Sequence, residues 1–263
     1  MSDFVLIIAA HGSNNDASVN ARVHDLAVRS AALSGFSRGL SAFHQGAPAF
    51  SSVLDESDSE YAVVVPLMTS GGFYCETVLP REIVKNQRYG HMMVHKTRPV
   101  GTHPAMIPLI EARAVRLLAE HGVSPGDTSL ALIGHGTEHH AQSRVATEVL
   151  ARAMQERDRF TQVITAFLDE EPPVESIAER VTAQHLVVEP FLISDAYHAL
   201  VDVPRRLGLT PATASNERVV GQVGKRLVIC DTAVGTDDAI LGVIIALAVH
   251  GRGVLTQRIA GAA

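Results

Sequence analysis

Tryptophan is absent from the 263 residues and aromatic side chains make up only 5% of them. Cysteine is scarce as well: Cys75 and Cys230 are the only two, and they lie far apart. That pair alone cannot make a disulfide framework, an iron–sulfur cluster or a cysteine-based zinc site. Positive charge is in deficit, with 22 Lys and Arg against 28 Asp and Glu and a formal net charge of −6, which argues against a nucleic-acid partner. No stretch reaches the roughly 18 to 20 consecutive apolar residues of a membrane span, so no membrane association is expected. Met1-Ser2-Asp3-Phe4 carries no basic n-region of a secretory signal, and a cytoplasmic location is expected. What is present is 46% apolar residues, enough for real cores, and an excess of histidine, 13 in all.

The chain repeats itself. Ile8-Ala9-Ala10-His11-Gly12-Ser13 returns as Leu132-Ile133-Gly134-His135-Gly136-Thr137, a spacing of 124 positions from His11 to His135. The same spacing pairs Ala42-Phe43 with Ala166-Phe167, Pro48 with Pro172, Val63-Val64-Val65-Pro66 with Val187-Val188-Glu189-Pro190, and Pro80-Arg81 with Pro204-Arg205. Val100-Gly101-Thr102 then matches Val234-Gly235-Thr236 at a spacing of 134, so the second copy holds ten more residues, read as a loop around Leu209 to Val223.

Each copy alternates apolar runs of strand length with helical spacing. The first has strands at 4–10, 61–68 and 92–96 and helices at 17–34 and 104–119. The second has strands at 130–133, 163–167, 186–192 and 227–230 and helices at 143–154 and 239–249. This pattern predicts two tandem α/β domains, each a doubly wound parallel sheet, related by pseudo-twofold symmetry. The expected domains are 1–123 and 124–263, divided at the Gly- and Pro-marked linker 121–127, with a weakly structured tail from Gly251. Open α/β sheets bind ligands at the carboxyl ends of their strands. His11, His135, Tyr74 and His198 all follow such ends, and two facing copies would enclose a cleft.

The Gly134-His135-Gly136 turn and the segment from Pro190-Phe191-Leu192 through Tyr197-His198 to Asp202-Val203-Pro204 resemble the class II, CbiX/SirB-type sirohydrochlorin chelatases in their long two-repeat form. The resemblance implies that His135 and His198 bind the incoming metal and face the pyrrole nitrogens, and that a glutamate of Asp169-Glu170-Glu171 assists, with Glu171 the first choice. It implies a lyase that inserts a divalent metal (cobalt first, iron or nickel next) into a sirohydrochlorin-like tetrapyrrole without ATP.

The repeat also argues without the family. His198 corresponds to Tyr74, and Asp169, Glu170 and Glu171 correspond to Gln45, Gly46 and Ala47, so the second copy holds the fuller donor set. One imidazole binds a divalent ion weakly, whereas several convergent donors fix it. Metallation also needs a base for two pyrrole protons, and neutral imidazole serves both purposes near pH 7. A substrate rich in carboxylates calls for cations, for which Arg144, Arg205 and Arg206 are candidates or else ordinary surface charges.

Plainer readings stand beside these. Glu170 and Glu171 either assist or stabilise a helix start near Pro172. His139 and His140 read as exposed polar residues, and His103 as a helix cap matched by Asp237. His11 either lines the cleft or is a remnant, and Tyr74 either stacks on a macrocycle or packs. Gly221-Gln222-Val223-Gly224-Lys225-Arg226 lacks the hydroxyl residue of a phosphate loop, so it lends no support to ATP use. A phosphohistidine site would need Arg just before His11 or His135, where Ala10 and Gly134 stand. The alternative function is a non-catalytic protein that binds or delivers metal or tetrapyrrole. With both repeats in one chain a monomer can be complete, and a homodimer stays open.

Overall fold

The apolar runs form strands because residues buried on both faces of a parallel sheet need no polar alternation. The computed structural model describes residues 3–137, 140–194, 197–214 and 217–262. Nine strands are found among them: β1 (Phe4–Gly12), β2 (Arg38–Gln45), β3 (Tyr61–Pro66), β4 (Met93–Lys96), β5 (Thr128–Gly134), β6 (Gln162–Phe167), β7 (His185–Pro190), β8 (Val219–Val223) and β9 (Arg226–Cys230). The helices are α1 (Ala17–Ser34), α2 (Leu79–Ile83), α3 (Met106–Glu120), α4 (Gln142–Gln155), α5 (Ile177–Arg180), α6 (Val203–Arg206) and α7 (Ile240–Ala262). The first sheet has the order β2-β1-β3-β4, all parallel. The second has the order β6-β5-β7-β9-β8, parallel except for the antiparallel edge strand β8. Two parallel-dominated α/β sheets in tandem are what the repeat predicted.

Three details differ from expectation. The extra segment of the second copy is not all loop: its end forms β8, whose hairpin with β9 turns at Gly224 with φ 63°. The tail is not weakly structured, since α7 continues to Ala262. By length and composition Ile240–Gly261 could cross a membrane. It buries Val243, Ile244, Leu247, Ala248 and Leu255, however, as a helix on a core does.

The third difference concerns the domains. The chain divides into two compact units, 1–103 with 241–263 and 104–240. Each repeat's closing helix is therefore counted in the other repeat's unit, so the division is not the sequential one at 121–127. The reason lies in the side chains. The α3 residues Leu109, Ile110, Arg113, Ala114, Leu117 and Leu118 are buried in the second unit, where Arg113 pairs with Glu189 and Asp231. In the first unit β1, β2 and β3 supply the core, with Val5, Ile7, Ala9, Ala42, Val64 and Leu79 packed together. In the second, Ala131, Ile133, Ala166, Val188, Val203 and Val228 do the same.

Candidate metal centre

β5 is buried along its whole length and delivers His135 at its carboxyl end. Gly134 is required there because a Cβ would lie 2.5 Å from Thr147 Oγ1. Gly136 has φ 73°, and its Cβ would lie 2.7 Å from Glu170 Cγ, so the turn that projects His135 admits little else. Beyond β7 a π-helical turn, His198–Asp202, runs into α6. Such turns are rare and often mark functional sites. It brings the His198 ring to 5.3 Å from that of His135, edge to face at 73°. Both side chains stay nearly half exposed.

The polar contacts around the pair bear on its tautomers. His135 Nδ1 lies 3.2 Å from Asp169 Oδ2 and 3.1 Å from the Gly136 carbonyl, both of which only accept. Nδ1 must then carry the proton, and Nε2 keeps its lone pair. His198 Nδ1 lies 3.3 Å from Asp202 Oδ2, which imposes the same tautomer. Burial works to raise the Asp202 pKa, but hydrogen bonds from Arg206 and His198 hold it below the usual value. Two imidazoles are thus each backed by a carboxylate, the arrangement that orients metal-binding histidines and raises their basicity.

Within the acidic loop, the residue in contact with a ring is Asp169. Glu170 is engaged by Arg144, with Nη2 2.9 Å from Oε2, and it accepts from the Thr137 amide. Glu171, the first choice from the family, is exposed, and its carbonyl accepts from Arg144. The loop, with Arg144, Leu168 and Pro173, borders an open cleft of about 550 Å³. The arginines sort themselves by partner. Arg144 and Arg206 are tied to Glu170 and Asp202, whereas Arg205 is exposed and donates a 3.3 Å bond to the Tyr197 hydroxyl. Tyr197 is itself 58% exposed, with its ring 6.1 Å from that of His198.

The matching place in the first unit is not stripped of a second histidine. His44, at the end of β2, sets its ring 5.2 Å from His11, and Tyr74 lies 4.7 and 4.8 Å from the two. Repeat matching overlooked His44 because its counterpart is Leu168, on a different strand from His198. Burial, then the charge of His44, lowers the His11 pKa. Among the described residues neither ring makes a hydrogen bond, and the position of Asp202 is held by Val78. Nothing fixes a tautomer there.

Of the other histidines noted in the sequence, His139 lies outside the described residues. His103 follows the turn at Val100–Thr102, while Asp237 caps α7 by accepting from the Ala239 amide. Both cysteines are buried, and desolvation pushes the Cys75 thiol up to about 12, so thiolate ligation is not on offer there. Among the described residues no three His, Cys, Asp or Glu side chains gather as a closed metal site. Asp202 and His44 are the residues that sequence reasoning did not single out. The i, i+4 spacing from His198 to Asp202 was the readable sign of the first.

The CbiX family model matches residues 5–117 and again 129–249, once for each repeat. A probable sirohydrochlorin cobaltochelatase of Halobacterium salinarum is 30% identical over 221 residues, covering 76% of this chain and 75% of the relative. Among solved structures, DR2241 from Deinococcus radiodurans is described as a multi-domain protein with structural similarity to chelatases and two additional novel domains. It superposes with a TM-score of 0.70 at 28% identity, over 94% of this chain and 55% of that one, so this chain spans little more than half of it. SirB from Bacillus subtilis with Fe3+ gives a TM-score of 0.78 at 15% identity, over 95% and 98% of the two chains, a likeness of fold.

Proposed function

The chain belongs to the CbiX family through both of its repeats, and from that premise we propose that its second unit inserts a divalent metal into a sirohydrochlorin-like tetrapyrrole. The observation that carries the proposal is the His135–His198 pair, 5.3 Å apart, with each Nδ1 held by a carboxylate. Cobalt is the first choice of metal, in keeping with the name of the halobacterial relative, and iron or nickel would meet the same donors.

In this reading the Nε2 atoms of His135 and His198 present the metal to the macrocycle. The lean donor set suits the task, because a substrate ion has to be released and its open positions are taken over by four pyrrole nitrogens. Insertion frees two N–H protons. As the metal leaves an Nε2, that freed atom takes up one proton; the positive charge of the ring is stabilised by Asp169 or Asp202, and the proton then passes to solvent. Asp169 takes the assisting place first given to Glu171, which is left to act at the exposed lip. Tyr197 offers a face on which the macrocycle can stack, and Arg205 a cation for its carboxylates. No step calls for ATP.

The experiment is direct. Purified protein with sirohydrochlorin and Co2+ should show the absorbance change of metallation well above the spontaneous rate. Tight binding of either ligand with no acceleration would instead mark a delivery protein.

A further inference from the structure

The two closing helices occupy matching positions in their repeats, yet they are not interchangeable. Arg113 of α3 is 3% exposed. Its Nε lies 3.1 Å from Glu189 Oε2, Nη2 3.0 Å from Asp231 Oδ2 and Nη1 3.0 Å from Asp237 Oδ2, and Nη2 donates to the Thr232 carbonyl. Arg116, one turn on, also meets Asp237 at 3.1 Å. At the spacings of the repeat, Arg113 becomes Leu247, Arg116 becomes His250, and Glu189, Asp231 and Asp237 become Val65, Thr97 and His103. Leu247, Val65 and Thr97 are buried in the first unit. One unit thus seats its helix on a guanidinium among acidic groups, and the other seats Leu247 where Val65 and Thr97 replace Glu189 and Asp231.

A difference in size accompanies the difference in charge. Leu117 of α3 is fully buried, and its counterpart on α7 is Gly251. A Cβ at Gly251 would lie 2.7 Å from Val63 Cγ1 and 3.1 Å from His95 Cδ2 and Thr97 Cγ2, so the first sheet has no room for a leucine there.

We infer that the Arg113 network, together with Gly251, is a recognition code that assigns each closing helix to the sheet of the other repeat. On the wrong sheet Arg113 would be buried against Val65 and Thr97 with no counter-charge, and Leu117 would collide with Val63. In its place Leu247 would leave the buried Glu189 carboxyl without its guanidinium partner and Asp231 with Arg218 alone. Buried ion pairs seldom add net stability over an apolar replacement, but removing one partner is costly, and that asymmetry is what discriminates between near-identical alternatives. The inference rests on packing within each unit and stands whether or not the protein is a chelatase.

The test moves the arginine without changing composition. In the full chain, Arg113→Leu with Leu247→Arg should lower the thermal midpoint by about 10 °C or more. Adding Val65→Glu, Thr97→Asp, Glu189→Val and Asp231→Thr, which moves the carboxylates to match, should recover most of that loss. Spin labels at the exposed positions Ala112 on α3 and Val149 on α4, both in the second unit, report the assignment. The six-substitution chain should keep the native distance. A double variant that melts within a few degrees of wild type at the native distance, or a six-substitution chain that recovers nothing, would overturn the inference.

Discussion

The first and second units share a parallel strand order, a histidine at the carboxyl end of the first strand and a pair of neighbouring imidazoles, yet only one pair is backed by carboxylates. In the second unit each ring has a carboxylate beside Nδ1, so each Nε2 keeps its lone pair. In the first unit His11, His44 and Tyr74 meet one another tilted or edge to face instead, and Gln45 and Val78 stand where Asp169 and Asp202 would be. Counting histidines therefore does not locate a metal centre. What matters is whether the scaffold fixes their protons.

This contrast can be broken most sharply by removing the rings. His198→Ala or His135→Ala should lower the insertion rate by about 100-fold or more, while His11→Ala or His44→Ala should leave it nearly unchanged. Equal losses, read as initial rates of cobalt insertion, would erase the distinction between the units. Next come the carboxylates. Asp169→Asn and Asp202→Asn should each cost roughly 10- to 100-fold in metal affinity or rate. Titration with Co2+ and steady-state rates measure the two effects separately, and Glu171→Gln should fall well short of either. A smaller effect is a gain: Tyr74→His would place a third imidazole beside His11 and His44. It should confer weak Co2+ binding visible in the absorption spectrum, without turnover.

The smallest effect is on stability and concerns Glu189, which the second unit has and the first replaces by Val65. Burial, against the pull of Arg113, pushes its pKa from 4.5 to about 8. The folded state keeps this proton when the unfolded chain has lost it. The group's contribution is therefore complete below about pH 4.5 and is lost as pH rises through about 8. Melting between pH 5 and pH 9 should show wild type losing stability relative to Glu189→Gln as pH rises. Parallel curves would place Glu189 as a carboxylate throughout.

Much of this was legible in the residues. Continuous runs such as Val63-Val64-Val65 and Leu130-Ala131-Leu132-Ile133 read as buried strands, and the spacing of 124 singled out His135 and His198 and matched them to His11 and Tyr74. Contacts between non-equivalent positions were not legible. His44 approaches His11 across neighbouring strands, and Leu168, its match, gave no sign of it. Asp169 rather than Glu171 meets His135 because the Leu168 and Asp169 amides both donate to the His135 carbonyl, a matter of backbone path. The exchange of α3 and α7 was hidden for a similar reason. Arg113 and Leu247 look like unremarkable helix residues until the burial of Glu189 and Asp231 shows which one each sheet can accept.

The most direct test is anomalous scattering from crystals soaked with Co2+. A single strong peak within bonding distance of Nε2 of both His135 and His198, lost in His198→Ala, is the expected result. A metal seated only on His11 and His44, or on Nδ1 rather than Nε2, would contradict the account.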